Sequence, residues 1–307
     1  MESQHFSLAG DIIRVADNLR IERPDGLHCY IGGLPATINT AIRALEQSSA
    51  VTTLEPIDER VFNRLLNDLE HQGMLSHPDT APPLRVALIG SRTLASQVGL
   101  ALLTPTVRLT LYQSEPPRRL QGSAHARAAT RSITEMLRRA AASDITPVTS
   151  GGHWTTLNPT SCDLAVIAAD TATADRAIAS VLLHQDIPHL SVTAHLDSAT
   201  IGPLTDTRGG ACLTCTDQFR SDYDADWPTV VSALSTIEAR PNPLLAQWAA
   251  VESALAVHWF RCGHNVLRSL TLHAELTGSG VVRRRWMPHP ACSCASRHPT
   301  AALPLAA

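Results

Sequence analysis

Lysine is absent from this 307-residue sequence, so all 25 of its basic residues are arginine. No chemistry carried by the chain can then use an ammonium group as a phosphate counter-charge or as an amine nucleophile. An excess of either charge is missing too. The formal net charge is -3, which leaves no basic footprint for nucleic acid and no patch for an anionic membrane surface. No apolar run reaches the roughly 18 residues of a membrane span. The opening "MESQHFSLAGD" has no basic lead-in to an apolar stretch, so neither a span nor a signal peptide is expected, and the expected location is cytoplasmic. The seven cysteines should then be reduced, metal-bound or buried as small apolar groups. G-x-S-x-G, H-E-x-x-H and a P-loop are all lacking, and the 14 histidines are scattered.

What is present divides in two. "IIRVA", "LRIER" and "LHCYI" alternate apolar and polar residues, with turn residues at Asp17-Asn18 and Pro24-Asp25-Gly26. Two helical patterns follow, "TINTAIRALEQS" and "DERVFNRLLNDLEHQG". The second has Val61, Leu65, Leu66 and Leu69 at helical spacing and Gly73 as a C-terminal cap. Three strands and helices in this order predict a winged-helix-type domain over residues 1–78. "SHPDTAPPL", with Pro78, Pro82 and Pro83, reads as a linker. From residue 84 to 307 the pattern is strand, helix, strand, helix: "LRVALIG", "SRTLASQVGLALL", "VRLTLYQ", "AHARAATRSITEMLRRAAA", "DLAVIAAD", "TADRAIASVLLHQ" and "PHLSVTA". That alternation predicts an α/β, Rossmann-like parallel sheet.

Cys212 and Cys215 in "ACLTCT" are matched by Cys292 and Cys294 in "HPACSCAS". Two close cysteine pairs far apart in the chain are what a tetrahedral structural zinc site needs, each pair gripping the ion from one side. The competing readings are a redox C-x-x-C and four separate buried thiols. The two glycines before Cys212 suggest a turn there rather than the helix start of a redox pair. Cys29, Cys162 and Cys262 lie in apolar contexts and are expected in cores.

A nucleotide site should follow "VALIG", and three of its parts are altered. The loop Gly90-Ser91-Arg92-Thr93-Leu94-Ala95 keeps one glycine and puts an arginine where small size is needed. The next strand ends at Gln113 in place of a ribose-binding acid, and Glu115 comes two residues later. The helix after it offers Arg127 and Arg131 but no lysine. ATP chemistry is therefore not expected.

Taken together, the strand ending in glycine, "DLAVIAADTATADR", "IPHLSVTAHLDSATIGPL", "CLTC" and the late cysteine pair resemble the ThiF/MoeB adenylyltransferases. The stretches "ACLTCTDQFRSDYDADWP" and "RRRWMPHPACSC" look more like a branch of that family found beside peptide-heterocyclising enzymes. The resemblance covers residues 85 to about 295. It implies a ThiF-type fold, zinc on the four named cysteines, homodimerisation, and a magnesium-binding position at Asp170 in active relatives. It also implies that the N-terminal domain recognises the leader of a ribosomal precursor peptide, which is then delivered to a YcaO cyclodehydratase for azoline formation. Leader binding would fall on the edge strand Leu27, His28, Cys29, Tyr30 and Ile31 and on Phe62, Leu65, Leu66 and Leu69 of the second helix. The alternatives are an active ATP-dependent adenylyltransferase acting on a precursor peptide, and a winged-helix DNA-binding regulator. Asp58, Glu59, Asp68 and Glu70 on the helix that would meet DNA oppose the latter.

Overall fold

The structure is a computed structural model that describes residues 7–15, 18–46, 54–76, 82–114, 123–141, 147–278 and 280–294. Asp17, Pro78, Glu115 and residues 77–81 of the expected linker lie outside the described residues, as does the side chain of Arg127. The chain forms two compact units, residues 1–81 and 82–307.

The first unit contains β1 (Ser7–Leu8), β2 (Asp11–Val15), β3 (Asn18–Glu22), β4 (His28–Ile31), α1 (Ala36–Glu46), α2 (Pro56–His71) and β5 (Leu75–Ser76). Strands β2, β3 and β4 make an antiparallel meander, and β1 pairs with β5. One face of the meander packs Leu19, Ile21 and Ile31 against Ile38 and Ile42 of α1 and Phe62 and Leu69 of α2. Gly73 closes α2 in a left-handed conformation, with φ of 68°. Its N–H donates to the Glu70 carbonyl at 2.9 Å and that of Met74 to Leu69 at 2.8 Å, so two otherwise open helix-end carbonyls are satisfied. Val61, expected on the buried stripe, is 39% exposed; Phe62 takes the inward place.

The second unit runs β6 (Leu84–Ile89), α3 (Thr93–Ala101), β7 (Val107–Gln113), α4 (Ser123–Ala140), β8 (Val148–His153), β9 (Leu164–Ala168), α5 (Arg176–His184), β10 (His189–His195), β11 (Ser198–Thr205), α6 (Leu213–Tyr223), α7 (Trp227–Leu234), α8 (Pro243–Arg261), β12 (Leu270–Glu275) and β13 (Val281–Arg285). Its eight-stranded sheet has the order β13-β12-β11-β10-β9-β6-β7-β8. Strands β8 to β10 along that order are parallel, and β11, β12 and β13 continue antiparallel.

Both faces of the parallel part are covered, which explains its unbroken apolar strands. Val86 and Leu88 of β6 and Leu164 and Val166 of β9 face the core beneath α3 and α8. Ala87, Ile89, Ala165 and Ile167 face the opposite core, with Ile178 and Leu182 of α5. The chain winds outward from β6 to β8, then returns to β9 and winds the other way. The strand order thus reverses between β6 and β9, and a doubly wound sheet places its ligand crevice at the carboxyl ends of such strands. Gly90 and Asp170 stand there.

Candidate functional site

In the first unit the meander ends on β4, whose outer edge pairs with no strand among the described residues. The turn fixes which groups that edge offers. Arg23 N–H donates to the Leu27 carbonyl at 2.9 Å, and antiparallel bonding alternates from there. Residues 29 and 31 therefore bond inward to β3, and the main-chain groups of His28 and Tyr30 point out along the free edge. The side chains alternate as well. Tyr30 is 54% and Leu27 46% exposed, and His28 is exposed. The Tyr30 hydroxyl accepts from Arg20 at 2.9 Å, and the Arg20 guanidinium lies 5.4 Å from the ring centroid.

Some of the residues expected to touch a peptide are elsewhere. Phe62, Leu69 and Ile31 are buried at 6%, 2% and 7% exposure, so their side chains belong to the core and not to a groove. The reason is the phase of α2: the positions that meet the sheet are taken by Phe62 and Leu69. Cys29, Leu65 and Leu66 are half-buried against the same core. The accessible set is Leu27, His28 and Tyr30.

In the second unit, Cys212, Cys215, Cys292 and Cys294 converge with all four sulfur atoms within 4.8 Å of one another. The Sγ separations are 3.8 Å for Cys212–Cys215, 3.7 Å for Cys212–Cys292 and 3.3 Å for Cys215–Cys294. A tetrahedral thiolate site with bonds of about 2.3 Å has edges of about 3.8 Å, so the cluster matches a four-sulfur metal cage. All four residues are buried, and Trp286 and Phe219 pack around them. The His289 main-chain N–H donates to the Cys215 sulfur at 3.3 Å, which favours the thiolate. The His289 ring turns away to Asp222, Nε2 to Oδ2 at 3.0 Å, and is not among the converging ligands. Without a cation the cluster shares protons unevenly: donating to Cys215, and burial, push the Cys212 thiol up to about 12 and Cys294 is raised too, while the same hydrogen bonds hold Cys215 well below the usual thiol range. A divalent ion would favour the thiolate at the raised positions as well.

The glycines before Cys212 do not make a plain turn. Cys212 is the N-cap of α6 and Cys215 lies in its first turn. The cysteine pair does open a helix, and it differs from a lone C-x-x-C in having the second pair's sulfurs 3.3 to 3.7 Å away. Cys162 is buried, whereas Cys262, expected in a core, is exposed at the end of α8.

At the strand-order reversal several of the chain's own groups pair with one another. A side-chain carbon on Gly90 would come within 2.7 Å of the Ala168 carbonyl and 2.8 Å of the Ala95 methyl, so packing alone demands glycine. Arg92 is ion-paired to Glu238. Asp170, 6% exposed, accepts from Ser91 N–H at 2.9 Å and from the Ser114 hydroxyl. Burial raises its carboxyl above the ordinary range, against the lowering effect of those bonds and of Arg92. Ser114, directly after the strand that ends at Gln113, was not legible as part of this cluster.

No family model matches the sequence, and no curated protein does. Solved structures do match it in shape. MccB of E. coli with succinimide superposes with a TM-score of 0.57 at 14% identity, over 94% of this chain and 99% of that one. The chain has the fold of MccB. The microcin C7 biosynthetic enzyme MccB in complex with N-formylated MccA gives 0.58 at 13% identity, over 94% and 99% of the two chains. A heterocyclase in complex with substrate and cofactor gives 0.59 at 12% identity, over 93% of this chain and 39% of that longer one. The match to MccB spans both units, so the small meander unit belongs to the shared architecture.

Proposed function

We propose that this chain is a leader-peptide-binding scaffold for the modification of a ribosomal peptide, and that it is itself non-catalytic. The observation that carries the reading is the edge of β4 that pairs with no strand among the described residues, with the main-chain groups of His28 and Tyr30 directed outward beside exposed Leu27. An extended peptide adds to such an edge as a further strand. Main-chain hydrogen bonds supply affinity, and neighbouring side chains supply selectivity. Residues 1–78 act as the winged-helix-type recognition domain and residues 84–307 as a ThiF-type body. In that body zinc on Cys212, Cys215, Cys292 and Cys294 fixes the C-terminal segment to α6. Thiolates alone, in a closed tetrahedral set, suit structural zinc.

The body presents the peptide's core segment to a separate YcaO cyclodehydratase, and a homodimer of the scaffold is the working assembly. Tethering through the leader raises the local concentration of the core segment at the partner's active site, so modest leader affinity is sufficient. The similarity to MccB with N-formylated MccA and to a substrate-bound heterocyclase supports peptide handling by this architecture.

A second reading, an ATP-dependent enzyme, is favoured by one observation: E. coli MccB with ATP shares the fold, at a TM-score of 0.56. The Arg92–Glu238 ion pair, the hydrogen-bonded Asp170 and the tightly packed Gly90 speak against it here. ATP–pyrophosphate exchange with a candidate precursor peptide separates the two. The scaffold reading expects leader-dependent capture without exchange, and robust exchange overturns it.

A further inference from the structure

Three residues other than glycine take a left-handed backbone conformation among the described residues: Asp186, Leu196 and Ser269. Glycine adopts that conformation without strain and other residues do not, so a side chain kept there against the strain invites a reason. Asp186 follows the end of α5, and Leu196 lies in the short turn between β10 and β11. Ser269, with φ of 55°, directly precedes β12 and uses both its side chain and its carbonyl.

The Ser269 hydroxyl accepts from the Ala211 main-chain N–H at 2.8 Å. Its carbonyl accepts from the Trp286 main-chain N–H, also at 2.8 Å. Ala211 is the residue before Cys212, and Trp286 opens the segment that carries Cys292 and Cys294. Both Ala211 and Trp286 pack in the buried cluster that contains all four cysteines. One residue thus touches the two stretches of chain whose sulfurs converge.

The neighbourhood of Ser269 is fastened in the same sense. A side-chain carbon on Gly210 would meet the Ser269 Oγ and the Arg268 Cγ at 2.8 Å each, so the loop before Cys212 lies directly on this turn. At the start of that loop the Asp206 carboxylate, 3% exposed, accepts from Arg268 at 2.7 Å and from Asn265 at 3.0 Å. The Trp286 indole donates to Thr271 Oγ1 at 3.0 Å. Loop 206–211 and the chain entering at Trp286 are therefore tied to residues 265–271 before either reaches a cysteine.

Ligands held near their bonding positions lose less freedom when the ion arrives, and the groups that orient them contribute strongly to metal affinity. We infer that Ser269 is a positioning residue of the four-cysteine metal cage, joining the two cysteine-bearing segments through its hydroxyl and its carbonyl. It supplies no sulfur and acts through Cys212 and Cys292. The inference rests on the metal reading of the four cysteines.

The test titrates the metal-free full chain with cobalt(II), whose visible absorption reports sulfur ligation, against a competing chelator. Zinc release to a colorimetric chelator is measured beside it. Ser269→Gly relieves the backbone strain and removes only the hydroxyl. It should bind cobalt(II) about tenfold or more weakly than the wild type and release zinc correspondingly faster, with the four-sulfur spectrum kept at saturation. Ser269→Asn keeps an acceptor and tolerates the left-handed conformation, so it should return affinity to within about threefold. Leu196→Gly relieves the same strain in the β10–β11 turn and should leave metal binding unaltered. Wild-type affinity and zinc release in Ser269→Gly, or Ser269→Asn no better than Ser269→Gly, would overturn the role of Ser269 alone. A wild-type chain that shows no four-sulfur cobalt spectrum would overturn the metal reading together with it.

Discussion

Replacing Cys215 by serine removes one sulfur from a cluster in which it lies 3.3 Å from Cys294 and 3.8 Å from Cys212. The magnitude follows from what the cluster ties together. Cys215 and Cys294 are 79 positions apart, and past β13 the chain from Trp286 to Cys294 has no strand and no extended helix of its own to hold it. A cross-link closing a loop of that length removes denatured-state entropy equivalent to about 4.5 kcal/mol at 25 °C. For a unit of this size that corresponds to roughly 10–15 °C in Tm. The assay is thermal unfolding followed by circular dichroism, paired with metal analysis of the purified chain. The prediction is about one zinc per wild-type chain, a large loss of zinc in Cys215→Ser, and a Tm drop of the stated size that a strong chelator reproduces in the wild type. Cys262→Ser is the control: that thiol is exposed, so its change should stay within about 0.5 kcal/mol. A chain purified without metal, with a Tm indifferent to Cys215→Ser and to chelator, would refute the reasoning.

Three further outcomes follow. Tyr30→Pro removes an N–H from the outer edge of β4 without touching the ladder to β3, so leader affinity should fall about tenfold or more while Tm changes little; isothermal titration and unfolding together check this. His189 is fully buried, its ring N–H donating to the Ile187 carbonyl at 2.9 Å, and burial lowers its pKa to about 4. Its folded value lies below the unfolded one, so between about pH 6.5 and 4 the unfolded chain binds a proton that the folded chain refuses. Stability should decline across that window by about 3 kcal/mol from this group, and His189→Gln should flatten the profile measured by urea unfolding. Gly90→Ala forces a methyl to within 2.7 Å of the Ala168 carbonyl and should cost about 1–3 kcal/mol by the same assay.

The apolar strands of the second unit were readable because they are buried on both faces; "VALIG" and "DLAVIAAD" carry no polar interruption. Strand β8 was not, since "VTSGGH" has two glycines and no alternation. Its Gly151 is there because a side-chain carbon would sit 2.3 Å from the Tyr112 ring. Strand β11 hides behind Gly202-Pro203, a pair that argues against a strand, yet a side-chain carbon on Gly202 would meet the Leu270 carbonyl at 2.4 Å, so β12 could not close on it. The four cysteines could be named from spacing because metal ligation leaves so few arrangements. The edge of β4 was legible only as a strand. Which leucines of α2 face inward depends on helix phase against the sheet, and two adjacent candidates, Leu65 and Leu66, cannot be ranked by periodicity alone. The Ser91–Ser114–Asp170 cluster joins residues from three loops, which no local pattern reveals.

The central claim is that β4 receives a peptide as an added strand. The direct measurement is residue-level amide hydrogen exchange of the full chain, with and without a candidate precursor peptide and with that peptide stripped of its leader. Protection of the His28 and Tyr30 amides by the full precursor alone, with residues 29 and 31 already protected in the free chain, is the predicted result. Unchanged exchange at His28 and Tyr30, or equal protection by the leaderless peptide, would contradict it.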